Sequence, residues 1–436
     1  MSNAVFKMLV CLIVVLIMVP CAGHADPAPA VRVIDHHTGE VIPGAFVTLD
    51  GEVLSAGAEG LFPLPRAEGV VKARAHGYQR AELPLVEAAG AGPVEVRLDA
   101  VTPRGLYLSF YGVGSRVLRG PALKLIEETE LNTLVIDVKG DRGMIPYRSS
   151  IPLAGEIGAQ RIITVRDVEG LITVFKEKGI YLIARIVVFK DDLLATARPE
   201  LAVRTQAGEI WRDRENLAWA DPFRKEVWEY NIRIAEEAAR LGFDEIQFDY
   251  VRFPDSRAPV FSRPSTEEGR VEAITGFLKA AQARLAPYNV FTAADIFGYV
   301  CWNLNDTDIG QKLDPIASAV DYLCPMLYPS GFQYGIPGYR NPVKSPHEIV
   351  YLSLKKAQER TGIAPVRFRP WLQSFRDYAF DRRQFGEKEI SDQIRAADTF
   401  GAQGWMLWNP VNVYTADALK REIRTASIAP EVAPGR

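Results

Sequence analysis

Eight short apolar stretches alternate with helical stretches between residues 105 and 410, and this alternation constrains the fold more than any other feature of the chain. The stretches are GLYLSFY at 105, TLVIDVKG at 133, YLIARIVVF at 181, FDEIQFDYV at 243, VFTAADIFG at 290, YLCPMLYP at 322, RFRPWLQSF at 367 and GWMLWNP at 404. Eight strands that alternate with helices over about 320 residues predict an α/β fold, a (β/α)8 (TIM) barrel. An open doubly wound sheet is the alternative, but YGVGSR after the first strand is a poor match to the Gly-rich turn of such folds.

The segments between the strands carry helix signals. In DPFRKEVWEYNIRIAEEAARLG, Asp221 can cap a helix, Pro222 suits its first turn and Gly242 can end it. Mostly apolar side chains recur there every three or four residues, as a helix packed on a sheet requires.

The region before the barrel has a different pattern. Gly, Pro and Asp separate short strand-like stretches, without helical periodicity: VRVID, GAFVTLD, GLFPLP, VVKARAHGY and VEVRLD. This pattern predicts a small all-β sandwich over residues 28–100. DAVTPRG reads as a linker, and the barrel is predicted over residues 104–425.

The first 25 residues have the layout of a secretory signal peptide. Lys7 precedes the apolar run MLVCLIVVLIMVP, and small residues follow with a plausible cleavage point after Ala25. The run is shorter than the roughly 20 residues of a spanning helix, so we predict export, with an uncleaved membrane anchor as the alternative. Pro20 argues against lipidation at Cys21.

Charge and cysteine content bound the class of protein. The 51 basic and 54 acidic residues give a formal net charge of -3 and form no long blocks, which argues against a nucleic-acid-binding or membrane-binding surface. Cys301 and Cys324 remain after the predicted cleavage. They could form a disulfide or remain two buried thiols.

Polar residues recur near the ends of the predicted strands, where barrel active sites lie. In FDEIQFDYV, strand alternation places Gln247 and Asp249 in the lumen, with Asp249 near the active face and Glu245 at the opposite, structural end. The other strands and their ends contribute Asp137, Lys139, Arg185, Asp295, Tyr328, Trp371, Gln373 and Asn409, and Arg252 follows the fourth strand. This ring of carboxylates, cations and aromatic residues indicates a functional site.

The residue types and motifs that the sequence lacks limit the kinds of reaction it could catalyse. His347 is the only histidine of the barrel region, so a Ser-His-Asp triad or a His-rich zinc centre has almost nothing to draw on. NDTD, with Asp306 and Asp308, lacks the Gly and Glu of a calcium loop, and no cofactor fingerprint appears. We therefore predict no cofactor and no metal. Carboxylate chemistry remains, and glycoside hydrolysis requires two carboxylates. All seven tryptophans lie in the barrel region, and their flat aromatic faces suit sugar rings.

The barrel resembles a bacterial family described as putative glycosyl hydrolases, related to the α-amylase-like barrels. GLYLSFYGVGS, TLVIDVKGDRG, FDEIQFDYVRFP, VDYLCPMLYPSGF and GWMLWNP carry the resemblance, from Gly105 to about Leu419. The wider group has its nucleophile at the end of the fourth strand, the place of Asp249. Its acid commonly ends the fifth strand, where this chain has Asp295 instead of the usual Glu.

The N-terminal region resembles the carboxypeptidase-regulatory-like sandwiches. The matching order is VIDHHTGEVIPGAFVTLDGE, AEGLFPLP and VKARAHGYQRAELPL. This resemblance implies an accessory domain without chemistry of its own.

Together these features predict an exported glycoside hydrolase that cleaves a poly- or oligosaccharide by a retaining, two-carboxylate mechanism. Asp249 would be the nucleophile and Asp295 the acid/base, although Asp249 could instead form a structural ion pair with Arg252 or Arg185. The predicted substrate contacts are Asp137, Lys139, Arg185, Arg252, Tyr328, Trp371, Gln373 and Asn409. The alternatives are a carbohydrate-binding protein without turnover and a cell-envelope scaffold.

Overall fold

A computed structural model describes residues 29–85 and 92–421. The predicted signal peptide, residues 1–25, lies outside the described residues. Within the described ranges, none of the helices is both long enough and apolar enough to cross a membrane.

Residues 30–85 and 92–98 form an all-β module of two small sheets. Its strands are β1 Ala30–Asp35, β2 Phe46–Leu49, β3 Glu52–Leu54, β4 Leu61–Pro63, β5 Gly69–Arg74, β6 Ala81–Leu85 and β7 Val94–Leu98. One sheet has the order β4-β1-β7 and the other β3-β2-β5-β6. Val33 and Val96 of the first sheet share one hydrophobic cluster with Val47 and Val71 of the second. The two sheets therefore bury their apolar faces against a common core.

The remaining eight strands close a parallel barrel, as predicted. They are β8 Arg104–Leu108, β9 Thr133–Lys139, β10 Tyr181–Val187, β11 Glu245–Asp249, β12 Phe291–Phe297, β13 Tyr322–Met326, β14 Trp371–Gln373 and β15 Trp405–Trp408. Each strand pairs with its sequence neighbours, and β15 closes the barrel on β8. Every residue of β11 is buried, the pattern of a strand covered on both faces.

Helices cover the outside of the barrel. They are α1 Phe110–Gly114, α2 Arg116–Glu128, α3 Pro152–Glu156, α4 Val168–Glu177, α5 Asp192–Ala197, α6 Lys225–Leu241, α7 Glu267–Leu285, α8 Leu313–Ala317, α9 Pro346–Thr361 and α10 Glu387–Phe400. Gly242 ends α6 with a φ of 102°, as predicted. The predicted start was wrong: α6 begins at Lys225, and Asp221 accepts hydrogen bonds from the backbone N–H groups of Phe223 and Ser262.

The β module packs against the amino-terminal end of the barrel, opposite the face on which barrel active sites lie. The Arg74 guanidinium pairs with Asp321, just before β13, with an N–O distance of 2.7 Å. Tyr322 Oη accepts from the Gly77 backbone N–H at 3.2 Å, and Arg80 pairs with Asp244 ahead of β11. The module therefore closes the lower end of the barrel.

Cys301 and Cys324 are both buried, and within the part of the chain that the structure describes neither forms a disulfide, so of the two alternatives the structure shows free thiols. Burial raises the pKa of Cys301 to about 12. Since the thiolate is the reactive form of cysteine, a raised pKa makes Cys301 unreactive.

Candidate active site

A cavity of about 1020 Å³ opens at the carboxyl ends of the barrel strands. Segments that follow β12, β13 and β14 line it with aromatic residues: Tyr299, Tyr328, Phe332, Tyr334, Phe375 and Tyr378. Loops that follow β10 and β11 contribute Arg214, Glu215, Arg252 and Asp255. Because β10 and β11 are adjacent in the barrel and β12 to β14 come next, the two groups occupy different parts of the rim. Such a cavity suits a ligand with flat apolar faces and polar edges.

Arg185 holds two carboxylates together at the floor of this cavity. Its Nη1 donates to Asp137 Oδ1 at 2.6 Å, while its Nε and Nη2 donate to Asp249 Oδ2 at 2.9 and 2.5 Å. The Tyr107 hydroxyl completes the cluster by donating to Asp137 Oδ2 at 2.7 Å. The sequence left open whether Asp249 pairs with Arg252 or Arg185, and the structure shows Arg185.

Asp249 is the buried carboxylate that lines the cavity. Its Oδ1 accepts from the backbone N–H of Tyr250 at 2.5 Å. Tyr250 has a φ of 46°, in the left-handed region that a bulky residue rarely adopts. Backbone strain of this kind persists only where the surrounding structure imposes it, and it concentrates at functional sites. The turn after β11 thus fixes the carboxylate in one orientation.

Asp295 belongs to the same group of residues but is more deeply buried. The Trp371 indole N–H donates to its Oδ1 at 2.7 Å, and its Oδ2 has no partner among the described residues. Burial, and then the nearby charge of Asp249, raise the pKa of Asp295 well above its usual value. The raised pKa favours the protonated carboxyl group, which is the form that can donate a proton. Asp295 does not itself line the cavity, whereas Trp371 does.

Four of the eight predicted substrate contacts line the cavity, and a fifth is paired with one of those four. Arg185, Arg252, Tyr328 and Trp371 line it. Asp137 does not, but it is tied to Arg185. Burial raises the pKa of Asp137, while Arg185 and Tyr107 counter the rise. Asp137 therefore acts on the site through Arg185.

The other three predicted contacts hold loops in place. Lys139 is fully buried and pairs with Asp191 at 2.6 Å. The Gln373 amide donates to Ser330 Oγ at 2.7 Å, and the Asn409 amide donates to the Ser374 carbonyl at 2.6 Å. None of the three lines the cavity, because protein groups already satisfy these side chains, and their contact with a ligand stays a prediction.

Several cavity residues were missed from the sequence. Tyr334 and Arg214 lie on loops well beyond the strand ends, and nothing local marks them as lining residues, whereas Tyr299 lies just after β12. Trp408 could have been found, because it ends the eighth strand. It stacks on Tyr107 with ring centroids 4.0 Å apart.

The carboxylates of the cavity are not grouped as metal ligands. Among residues 29–85 and 92–421, one set of three side chains has its ligand atoms within 4.8 Å of one another, namely His36, His37 and Asp99. This exposed set belongs to the β module, and His36 Nδ1 lies 2.8 Å from Asp99 Oδ1.

The fold and the site together define a (β/α)8 barrel with buried, charge-coupled carboxylates below an aromatic-rimmed cavity. The sequence model of a family described as "Putative glycosyl hydrolase domain" matches residues 105–414, well over half of the chain. The chain belongs to this glycosyl hydrolase family, as its motifs indicated.

The chain is similar to several solved structures. A hypothetical protein from Ruminiclostridium thermocellum ATCC 27405 is 41% identical, with 44% of this chain and 96% of that chain covered and a TM-score of 0.39. The PgaB (BpsB) glycoside hydrolase domain from Bordetella bronchiseptica is 13% identical over 73% of this chain and 99% of that chain, with a TM-score of 0.53. The β-galactosidase of the psychrophilic Marinomonas ef1 is 10% identical over 70% and 54% of the chains, with a TM-score of 0.50. At such identities the last two likenesses show the shared fold alone. No match to the chain is found among curated proteins.

Proposed function

We propose that this protein hydrolyses glycosidic bonds of a poly- or oligosaccharide at the cavity above Asp249. The observation that carries the proposal is a buried carboxylate, fixed by Arg185 and by a strained turn, that faces a cavity with an aromatic rim. Membership of a glycosyl hydrolase family supports the same activity. Flat aromatic side chains suit the faces of sugar rings, and charged groups suit their hydroxyls.

In the proposed mechanism, which retains the anomeric configuration, Asp249 attacks the anomeric carbon as the bond to the leaving oxygen breaks. Asp295 gives its proton to that oxygen, directly or through one water molecule, leaving a glycosyl ester on Asp249. Asp295, now a carboxylate, then takes a proton from the water that cleaves the ester. The raised pKa of Asp295 suits the acid role, and Arg185 fixes the position of Asp249.

The first test compares Asp249→Asn with a control on the same strand, Glu245→Gln. Glu245 is also buried and paired with a buried arginine, Arg369, but it lies at the lower end of β11. Both variants therefore remove a buried charge from one strand. We expect reducing-end release from a polysaccharide panel to fall at least 1000-fold in Asp249→Asn, while Glu245→Gln keeps its activity per folded molecule.

Three results would contradict this assignment in different ways. Equal activity in wild type and Asp249→Asn would move the chemistry to another carboxylate. Binding without product in the wild type would favour a carbohydrate-binding protein. Inversion of the first product, seen by proton NMR of its anomeric signal, would exclude Asp249 as a nucleophile, since inverting enzymes separate their carboxyl groups by about 6.5–9.5 Å instead of about 5–5.5 Å.

We also propose that the protein is exported by its N-terminal segment. The apolar run after Lys7 and the small residues before Asp26 support this. Fractionation of the source cells, followed by N-terminal sequencing, should find a chain that begins at Asp26. A cytoplasmic chain that still carries residues 1–25 would contradict export.

A further inference from the structure

Arg252 is a charged side chain whose position the fold explains only in part. It is half-buried and its guanidinium carbon lies 4.9 Å from the Trp219 ring, 5.0 Å from Tyr250 and 4.7 Å from Phe297. Its Nη1 donates to the Phe253 carbonyl at 2.9 Å. Three rings and one carbonyl therefore hold the cation in place.

No carboxylate of the described chain lies within 4.0 Å of this guanidinium. A half-buried cation without a counter-ion is costly, and most proteins pair it. Arg185, the other arginine at the floor of the cavity, has two such partners. Because Arg252 lines the cavity, its unused N–H groups face the space that a ligand would fill.

A second unpaired cation lies on the same rim. Arg214 lines the cavity, is exposed, and makes no ion pair with any residue that the structure describes. The neighbouring Lys190 pairs with Glu215 at 2.8 Å and Asp213 at 3.4 Å, so these two carboxylates are engaged with Lys190 and do not pair with Arg214 or Arg252. Asp255 is exposed and also lines the cavity, but it does not pair with Arg252. The charged rim groups without an ion-pair partner among the described residues are therefore Arg214, Arg252 and Asp255, two cations and one carboxylate.

We propose that the substrate is an acidic polysaccharide, and that Arg252 binds a carboxylate group on one of its sugars. This inference rests on the proposed function, since it names the substrate class of the same site. The planar guanidinium presents a fork of N–H donors that matches a carboxylate in two parallel hydrogen bonds. Stacking on three rings fixes the plane of that fork, and the aromatic part of the rim receives the faces of the adjacent sugars.

The experiment uses each acidic polymer beside its own carboxyl-reduced form, which keeps the chain and removes the charge. The probes are polygalacturonate, alginate and hyaluronate, and binding is read by affinity electrophoresis in 0.15 M salt, which weakens unspecific attraction between exposed charges. We expect at least one acidic polymer to retard the wild type about tenfold more strongly than its reduced form. Arg252→Gln should abolish that difference and Arg252→Lys should keep part of it.

Arg257→Gln is the matched control. Arg257 is on the same loop, its side chain is 93% exposed, and it does not line the cavity. Loss of the same charge there should leave the preference unchanged. Since each comparison is made within one protein sample, partial unfolding of a variant lowers both values and leaves their ratio intact.

The outcomes separate this inference from the proposed function. Equal retardation by acidic and reduced forms of all three polymers, or an unchanged ratio in Arg252→Gln, would overturn the assignment of Arg252. Retardation by dextran sulfate, but by none of the uronates, would replace the carboxylate by a sulfate group and overturn it as well. Selective binding without reducing-end release from any polymer would uphold the acidic ligand and reject hydrolysis. Release of reducing ends from neutral polymers alone would support hydrolysis and reject the acidic substrate.

Discussion

The contact between Arg74 and Asp321 leads to the prediction that the β module stabilises the barrel directly. Both side chains are at least nine-tenths buried, and the pair joins the module to the start of β13. Arg74 also lies between Phe46 of the module and Phe291 of the barrel, 4.5 and 5.0 Å from the ring centroids. Arg74→Met keeps the packed stem but removes the charge, so Asp321 loses its closest cation.

Breaking a buried pair on one side costs about 3–5 kcal/mol. Asp321 keeps hydrogen bonds from the Thr292 backbone N–H at 2.8 Å and its hydroxyl at 3.0 Å, so we expect the lower end, about 3 kcal/mol. With a guanidinium m value of about 5 kcal/mol/M, the unfolding midpoint should fall by about 0.6 M.

Tryptophan fluorescence is the appropriate probe, because all seven tryptophans lie in the barrel and none in the module. Arg97→Met is the control: Arg97 pairs with Glu95 on the module surface, with side chains 53% and 42% exposed, and such pairs contribute about 0–1 kcal/mol. A barrel transition that responds equally to Arg74→Met and Arg97→Met would refute the coupling.

The pH dependence gives a second check on the same pair. Burial raises the pKa of Asp321, but Arg74 and the Thr292 N–H outweigh it and hold the pKa below the usual 3.8. A carboxyl group with a lowered pKa in the folded state stabilises the fold at higher pH, and this contribution is lost as the pH falls through the folded value. The difference between wild type and Arg74→Met should therefore be largest near pH 7 and shrink as the pH falls, because burial without Arg74 raises the pKa of Asp321 in the variant and lets it take up a proton.

Three further predictions concern the upper end of the barrel. Trp371→Phe removes the hydrogen bond that lowers the pKa of Asp295, so the basic limb of kcat against pH should move to higher pH; an unmoved limb would separate Asp295 from catalysis. Asp191→Asn leaves the buried ammonium of Lys139 unpaired and should cost about 3–5 kcal/mol in denaturant unfolding, with kcat per folded molecule unchanged. Tyr334→Ala, at a side chain 91% exposed on the cavity rim, should change stability by less than about 0.5 kcal/mol and raise KM for long oligosaccharides more than for short ones.

The strands could be predicted because their signals are local, whereas side-chain partners could not. All eight predicted strands occur in the barrel, since apolar runs and turn residues mark each one within a few positions. The start of α6 was misplaced because Asp221 bonds to Ser262, distant in the chain. Likewise the register that sets Arg185 beside Gln247, and so within reach of Asp249, follows from barrel closure and from no motif.

The strand β11 shows how one short segment carries both structural and proposed catalytic charges. Glu245 and Asp249 point into the lumen from opposite ends and each meets a buried arginine, Arg369 below and Arg185 above. Their partners are alike, so charge pairing alone cannot distinguish the two carboxylates. At the lower end the β module packs against the barrel and Glu245 is fully buried, while the upper end opens into the cavity. Access, more than charge, is what makes Asp249 and not Glu245 the candidate for chemistry.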